Sequence, residues 1–153
     1  MYKRQAVTDA YYKDEFNWIK NNMRKIQYVA CFFCILIFGL FLVSKWAFHI
    51  WIQDKVIIPL HLSLSLTLYN MFVVFFSPFS MFLNGFGKLK LGTIIAPAKT
   101  VIFLPLAWYL STLWGATGLV IALFIANSLP NLYFEVRQYS LLVNQKAYGI
   151  WNK

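Results

Sequence analysis

The side chains able to do chemistry are few and scattered. The carboxylates are Asp9, Asp14, Glu15, Asp54 and Glu135, and the histidines are His49 and His61, in a chain of 153 residues. No carboxylate pair and no nucleophile beside a base can be picked out, and catalysis would need such a constellation. His49 and His61 have no partners at metal-ligand spacing, and no zinc, phosphate-loop or dinucleotide-loop pattern occurs. The sequence therefore predicts no catalytic residue, no metal and no cofactor, and hence no enzyme. Cys31 and Cys34 form a C-x-x-C, but inside an apolar run from Val29 to Val43. A redox dithiol needs an electropositive, partly exposed setting that stabilises a thiolate. An apolar run does the opposite, so these two residues are expected to pack.

The informative polar groups lie within apolar runs. Lys99 falls about eight residues into one of them, roughly 12 Å deep at ~1.5 Å per residue. A lysine near a bilayer centre costs about 2.5–3.5 kcal/mol on insertion scales. Two readings stand: a cation lining a polar cavity for an anionic substrate, or a side chain snorkelling to the interface with no role. Gly92 and Ala96 share its helical face and are small enough for a neighbour or water to approach. A second run carries Ser63, Thr67, Asn70, Val74, Ser77, Met81 and Asn84 at steps of three and four, which is one helical face. Such a face should meet another helix or water, as interhelical hydrogen bonds or as a cavity wall. Asn127 sits near the middle of a further run. Lys99, Asn70, Thr67, Ser77 and Asn127 are the candidate cavity residues.

The elements that position them follow from hydropathy. The chain is 60% hydrophobic, with mean hydropathy +0.60, against roughly 45–50% apolar in a soluble domain. A span needs ~20 predominantly apolar residues. Four such stretches appear, at about 26–45, 56–83, 91–110 and 115–136. Pro59 is tolerable in the first turn of the second, Pro78 is a candidate kink, and Pro97, Pro105 and Pro130 punctuate the others. Asn84-Gly85-Phe86-Gly87-Lys88 reads as a turn, and Ser111-Thr112-Leu113-Trp114 as a tight hairpin. Before them, 8–25 reads as one amphipathic helix with Thr8 as N-cap and a stripe of Tyr12, Phe16, Ile19, Met23 and Ile26. Trp18 and basic flanks suggest that it lies in the membrane interface. The expected class is all-α: an integral membrane helical bundle of four transmembrane helices preceded by an amphipathic interfacial helix, then a tail, 137–153.

The net charge of +9 would suggest nucleic acid on a soluble protein. Here eleven of the 14 basic residues fall in the N-terminal segment, the Lys88–Lys90 turn and the tail. Four spans put all three on one side, and the positive-inside rule makes that side cytoplasmic. Lys45 and Lys55 fall opposite. Trp46, Trp51, Trp108, Tyr109 and Trp114 mark the outer interface, where amphipathic rings prefer to sit. The expected partner is the lipid bilayer and not nucleic acid. No secretory apolar segment opens the chain.

One resemblance covers nearly the whole sequence. It rests on Ala6-Val7-Thr8-Asp9-Ala10-Tyr11 with Asp14 and Trp18-Ile19-Lys20, then Trp51-Ile52 and Leu83-Asn84-Gly85-Phe86-Gly87-Lys88. Pro105-Leu106, Gly115-Ala116-Thr117-Gly118 and the closing Gly149-Ile150-Trp151-Asn152-Lys153 complete it. In order and spacing these resemble the last third of bacterial polysaccharide flippases. Those are the O-antigen and capsule transporters of the multidrug/oligosaccharidyl-lipid/polysaccharide exporter superfamily. The resemblance implies about twelve to fourteen helices in two pseudo-symmetric bundles around a central cavity. This chain would then be the C-terminal four, with the N-terminal helices of the same transporter as missing partners. It also implies a lipid-linked oligosaccharide as substrate, carried on undecaprenyl pyrophosphate, and the bacterial cytoplasmic membrane as location. Lys99 matches no fixed family position. Residues 1–5 depart from the pattern: Met-Tyr-Lys-Arg-Gln can be written GTG-TAT-AAG-AGA-CAG, which resembles the end of a transposon-based sequencing adaptor, so a non-native leader is expected there. The alternatives are a small four-span assembly or interaction subunit and a small multidrug exporter working as a dimer. The exporter needs an intramembrane carboxylate, and none falls in the first three spans.

Overall fold

A computed structural model describes residues 2–52 and 58–152. It consists of α1 (Tyr2–Tyr12), α2 (Phe16–Ile52), α3 (Leu60–Phe86), α4 (Lys90–Trp114), α5 (Ala116–Leu123), a π-helical turn (Phe124–Ser128), α6 (Leu129–Val143) and a closing 3-10 turn (Gly149–Asn152). No strand occurs among the described residues. Four helices are long and apolar enough to cross a membrane: Phe16–Ile50, Leu60–Phe86, Lys90–Trp114 and the composite Ala116–Val143. The all-α, four-span reading is what the chain folds into. Asp54, Lys55 and the expected start of the second span at Val56 lie outside the described residues, as does the side chain of Trp51.

The boundaries move for local reasons. The single amphipathic helix expected over 8–25 is two helices. α1 ends at Tyr12, and α2 carries the rest of the stripe straight into the first span. The break is a Schellman turn: Asp14 adopts φ 58°, its amide donates to the Tyr11 carbonyl at 3.3 Å, and Glu15 N donates to the Ala10 carbonyl at 2.9 Å. Two of the carbonyls left over at the helix end are thereby satisfied. Thr8 is consequently mid-helix and not an N-cap.

The same device ends α3, where Gly87 sits at φ 72° and Lys88 N reaches the Leu83 carbonyl at 3.2 Å. It recurs after α6, with Gln145 at φ 56° and Lys146 N on the Leu141 carbonyl at 2.8 Å.

The hairpin between α4 and α5 is tighter than expected. Ser111 to Trp114 stay helical, and Gly115 alone turns the chain, at φ 56° and ψ −135°, a region essentially closed to other residues. Three residues on, Gly118 packs directly on α4: a Cβ there would fall 1.9 Å from the Leu110 carbonyl oxygen. The last span reaches Val143, seven residues past the expected end. It passes Pro130 by widening the preceding turn, with Leu129 N bonded to the Phe124 carbonyl. A proline offers no N–H to the carbonyl four residues back and collides with it, and the π turn gives that carbonyl room. α3 and α4 run unbroken through Pro78 and through Pro97 and Pro105.

α2 packs on α3, α4 on α5, and α3 on α6, while α1 crosses the end of α3. The core gathers at that one end, from Val7, Ala10, Ile19, Met23, Phe79, Phe82, Leu83, Phe86, Leu142 and Val143. The deepest members of the amphipathic stripe, Ile19 and Met23, are therefore covered by the chain's own helices. Tyr12 and Trp18 remain exposed. At the opposite end Trp46, Trp108, Tyr109 and Trp114 are exposed.

Candidate functional site

α3 and α4 are consecutive yet scarcely touch, because after the Gly87 turn α4 leans on α5 and α3 on α6. The gap between them is backed by α6. It forms a cavity of about 170 Å³ whose polar lining includes Ser80 and Asn84 from α3, Lys99 from α4, and Asn131, Glu135 and Gln138 from α6.

Lys99 is half-buried nine residues into α4, and its ammonium donates to Asn131 Oδ1. A snorkelling lysine would reach past its neighbours toward water; this one turns inward, to an amide on another helix. Glu135 lines the same cavity and accepts a hydrogen bond from Ser80 Oγ. The cavity is thus lined by Glu135 and by two lysines, Lys99 and, at the α3–α4 turn, Lys88. Lys99 and Glu135 each have a neutral hydrogen-bond partner, which is how charges within apolar surroundings are made tolerable. Gln138 is 2% exposed and closes the far end. Its amide donates to the Lys88 carbonyl at 3.3 Å and the Trp151 carbonyl at 3.4 Å. Lys88 Nζ donates to the Asn152 carbonyl at 2.9 Å, so the 3-10 turn is tied to the α3–α4 turn.

The expected polar face of α3 does not act as one wall. Ser63, Thr67 and Asn70 line a separate groove against α2, with Phe41 and Ser44. Thr67 Oγ1 and Asn70 Nδ2 donate to their own helix, to the Ser63 and Leu66 carbonyls, each at 2.7 Å. Ser77 is exposed and donates to the Val74 carbonyl at 3.1 Å. It borders a shallow hollow shared with Ser80, Asn131 and Glu135. Asn127 is half-buried in the π turn and lines none of these spaces. Of the five candidates, Lys99 alone lines the charged cavity, and Ser77 lies beside it.

Sequence reading missed Ser80, Asn131, Glu135 and Gln138. Asn131, Glu135 and Gln138 recur at steps of four and three, a polar stripe on one face that was legible in principle. Ending the span at Val136 placed Glu135 at its edge and Gln138 outside it. Cys34 is buried and its Sγ donates to the Met71 carbonyl at 3.4 Å, whereas Cys31 is exposed. The expected packing within the chain is therefore seen for Cys34 and not for Cys31. Among the described residues no cluster of His, Cys, Asp and Glu is disposed to hold a metal ion. Compared with protein-family models, curated proteins and solved structures, the chain matches none of them.

Proposed function

We propose that this chain is the C-terminal four-helix part of a flippase that moves a lipid-linked oligosaccharide, carried on undecaprenyl pyrophosphate, across the bacterial cytoplasmic membrane. The observation that carries this reading is the inward-turned Lys99 in a polar cavity between α3, α4 and α6. A pyrophosphate or an acidic sugar needs a cation to offset its charge away from water, and a lysine held by Asn131 supplies one. The sequence resemblance adds the substrate class. The mechanism it implies is alternating access, in which two bundles rock around a midplane cavity. The distribution of lysine and arginine supports a cytoplasmic position for both termini.

Exposed surface supports the further element, a partner bundle from the same transporter. The apolar stretch of α2 is only 6% buried within the chain, and Asn70, Ser77 and Asn84 on α3 are exposed polar groups. Asn70 and Ser77 each bond a carbonyl of their own helix, so it is the uncovered apolar face of α2 that a partner bundle would pack on.

The test is Lys99→Ala in the full transporter carrying this chain. Glycan export should fall while membrane insertion is retained, with lipid-linked oligosaccharide accumulating on the inner leaflet. Unchanged export rejects the reading. One observation favours a second reading, the small multidrug exporter: Glu135 is a carboxylate within a membrane-length helix, as proton-coupled efflux needs. Efflux of an organic cation that Glu135→Gln abolishes and Lys99→Ala spares would select it.

A further inference from the structure

At the α1 end of the bundle, outside the spans' charged cavity, lies a groove of about 340 Å³. It is lined by Tyr11, Tyr12 and Phe16 together with Asp14, Gln145 and Asn152. Its three rings are not collapsed on one another. Tyr11 meets Tyr12 edge-on, with centroids 6.0 Å apart and planes at 74°, and meets Phe16 at 6.1 Å and 90°. Tyr12 is 75% exposed, leaving a ring face open. Asp14, Gln145 and Asn152 are exposed as well.

Asp14 and Gln145 are the two non-glycine residues at positive φ among the described ones, at 58° and 56°, and both line this groove. Each occupies the left-handed position of a Schellman turn, where glycine is the residue without steric penalty. The third such turn in the chain uses glycine, Gly87. Retaining side chains at the two strained positions costs stability that neither recovers locally, since no side-chain hydrogen bond of Asp14 or Gln145 is made with the described residues. Strain of this kind collects at ligand-binding sites.

We propose that this groove is a carbohydrate subsite that takes a neutral hexopyranose. The C–H face of a pyranose carries partial positive charge and stacks on the negative face of an aromatic ring, here Tyr12. Vicinal hydroxyls each donate and accept, and they need planar groups that do the same. A carboxylate accepts and an amide does both, so Asp14, Gln145 and Asn152 form the matching set. Among the described residues that line the groove, Asp14 alone carries a formal charge, and it selects neutral sugars over acidic ones. The assignment stands on this groove alone; if the flippase reading also holds, the subsite would grip the glycan outside the Lys99 cavity.

The test uses the whole chain in lipid nanodiscs and saturation-transfer NMR, with N-acetylglucosamine, galactose and glucuronate as probes. A neutral sugar should receive transfer from the parent, and glucuronate at least several-fold less. The double variant Asp14→Gly, Gln145→Gly relieves both left-handed positions and so should fold at least as stably, yet lose about tenfold of the transfer. Tyr12→Ala should lose it as well. Absence of transfer to either neutral sugar, or an unchanged signal in the double variant, overturns the proposal. Because the readout is binding by this chain, it is independent of export by the Lys99 variant, and either reading can fail without the other.

Discussion

Thr8 and Gly85, 77 positions apart, are joined by a hydrogen bond in which Thr8 Oγ1 donates to the Gly85 carbonyl oxygen at 2.7 Å. Gly85 lies in the last turn of α3, where the carbonyls have no intrahelical donor. The bond therefore does two things at once. It satisfies a carbonyl that the α3 terminus leaves over, and it fixes where α1 crosses that terminus. Tyr11, one turn along α1, stacks on Phe86 with centroids 4.5 Å apart, so the crossing is held at two points.

Thr8→Val keeps the shape of the side chain and removes the donor. The loss of the bond, with the Gly85 carbonyl left unpaired, should cost about 1–2 kcal/mol. Limited proteolysis in the Lys13-Asp14-Glu15 link should become faster, because α1 undocks more often. Equal cleavage rates in parent and variant would show that the bond contributes nothing to docking.

Gly118→Ala and Gly92→Ala separate close packing from open space. The added methyl at Gly118 meets the Leu110 carbonyl oxygen, carbon and the Ser111 nitrogen within 2.9 Å, whereas nothing lies within 4 Å of the corresponding position at Gly92. Backbone cannot yield as a flexible side chain would, so Gly118→Ala should destabilise by at least about 2 kcal/mol. Gly92→Ala should be neutral or slightly stabilising. Thermal melts of the two variants in detergent check this, and similar melting temperatures would contradict the close α4–α5 crossing.

Lys99 and Glu135 line one cavity, and that predicts non-additivity. Removing Glu135 alone, as Glu135→Leu, leaves a cation without its counter-charge, and Lys99→Met alone leaves a carboxylate. Each single change should destabilise more than the double, with a coupling of about 0.5–3 kcal/mol. A double-mutant cycle in denaturant measures it. Additive effects would mean that the two charges do not sense each other.

Tyr11 predicts an alkaline limit. It lies in α1, outside the spans, and burial, followed by the nearby Tyr12 and Asp14, raises its pKa above the ordinary 10.0. The folded chain then holds the phenol proton more tightly than the unfolded chain does. Its contribution is fully present below pH 10.0 and is lost as pH rises from there through the folded pKa. Tyr11→Phe should flatten this part of the alkaline stability profile. A profile of the same steepness in the variant would remove Tyr11 as a cause.

The four spans were legible because hydropathy is summed over ~20 residues and needs no knowledge of neighbours. Lys99 was legible for the same reason: a lysine in an apolar run declares itself. Asn70 and Thr67 were legible as polar but not as what they are. A hydroxyl or amide at helical spacing can satisfy itself on the carbonyl four residues back, and both do. That choice is invisible until the surroundings are known. The last helix runs on beyond the expected span end at 136, where Glu135, Arg137 and Gln138 lower the local hydropathy. Glu135 and Gln138 are instead polar by design, one bonded to Ser80 and the other to two backbone carbonyls.

The sequence alone therefore determined that the chain is helical, how many times it is long enough to cross a bilayer, and that Lys99 lies within an apolar run. These follow from local composition and from the energetic cost of placing charge in hydrocarbon. Tertiary structure alone decided that α3 and α4 part after Gly87, and that α6 supplies Asn131, Glu135 and Gln138 to the space between them. It also decided that the N-terminal stripe closes on α3 and α6. A cavity is a relation among three helices, set by which faces pack and which are left apart, and no window along one strand of sequence contains it.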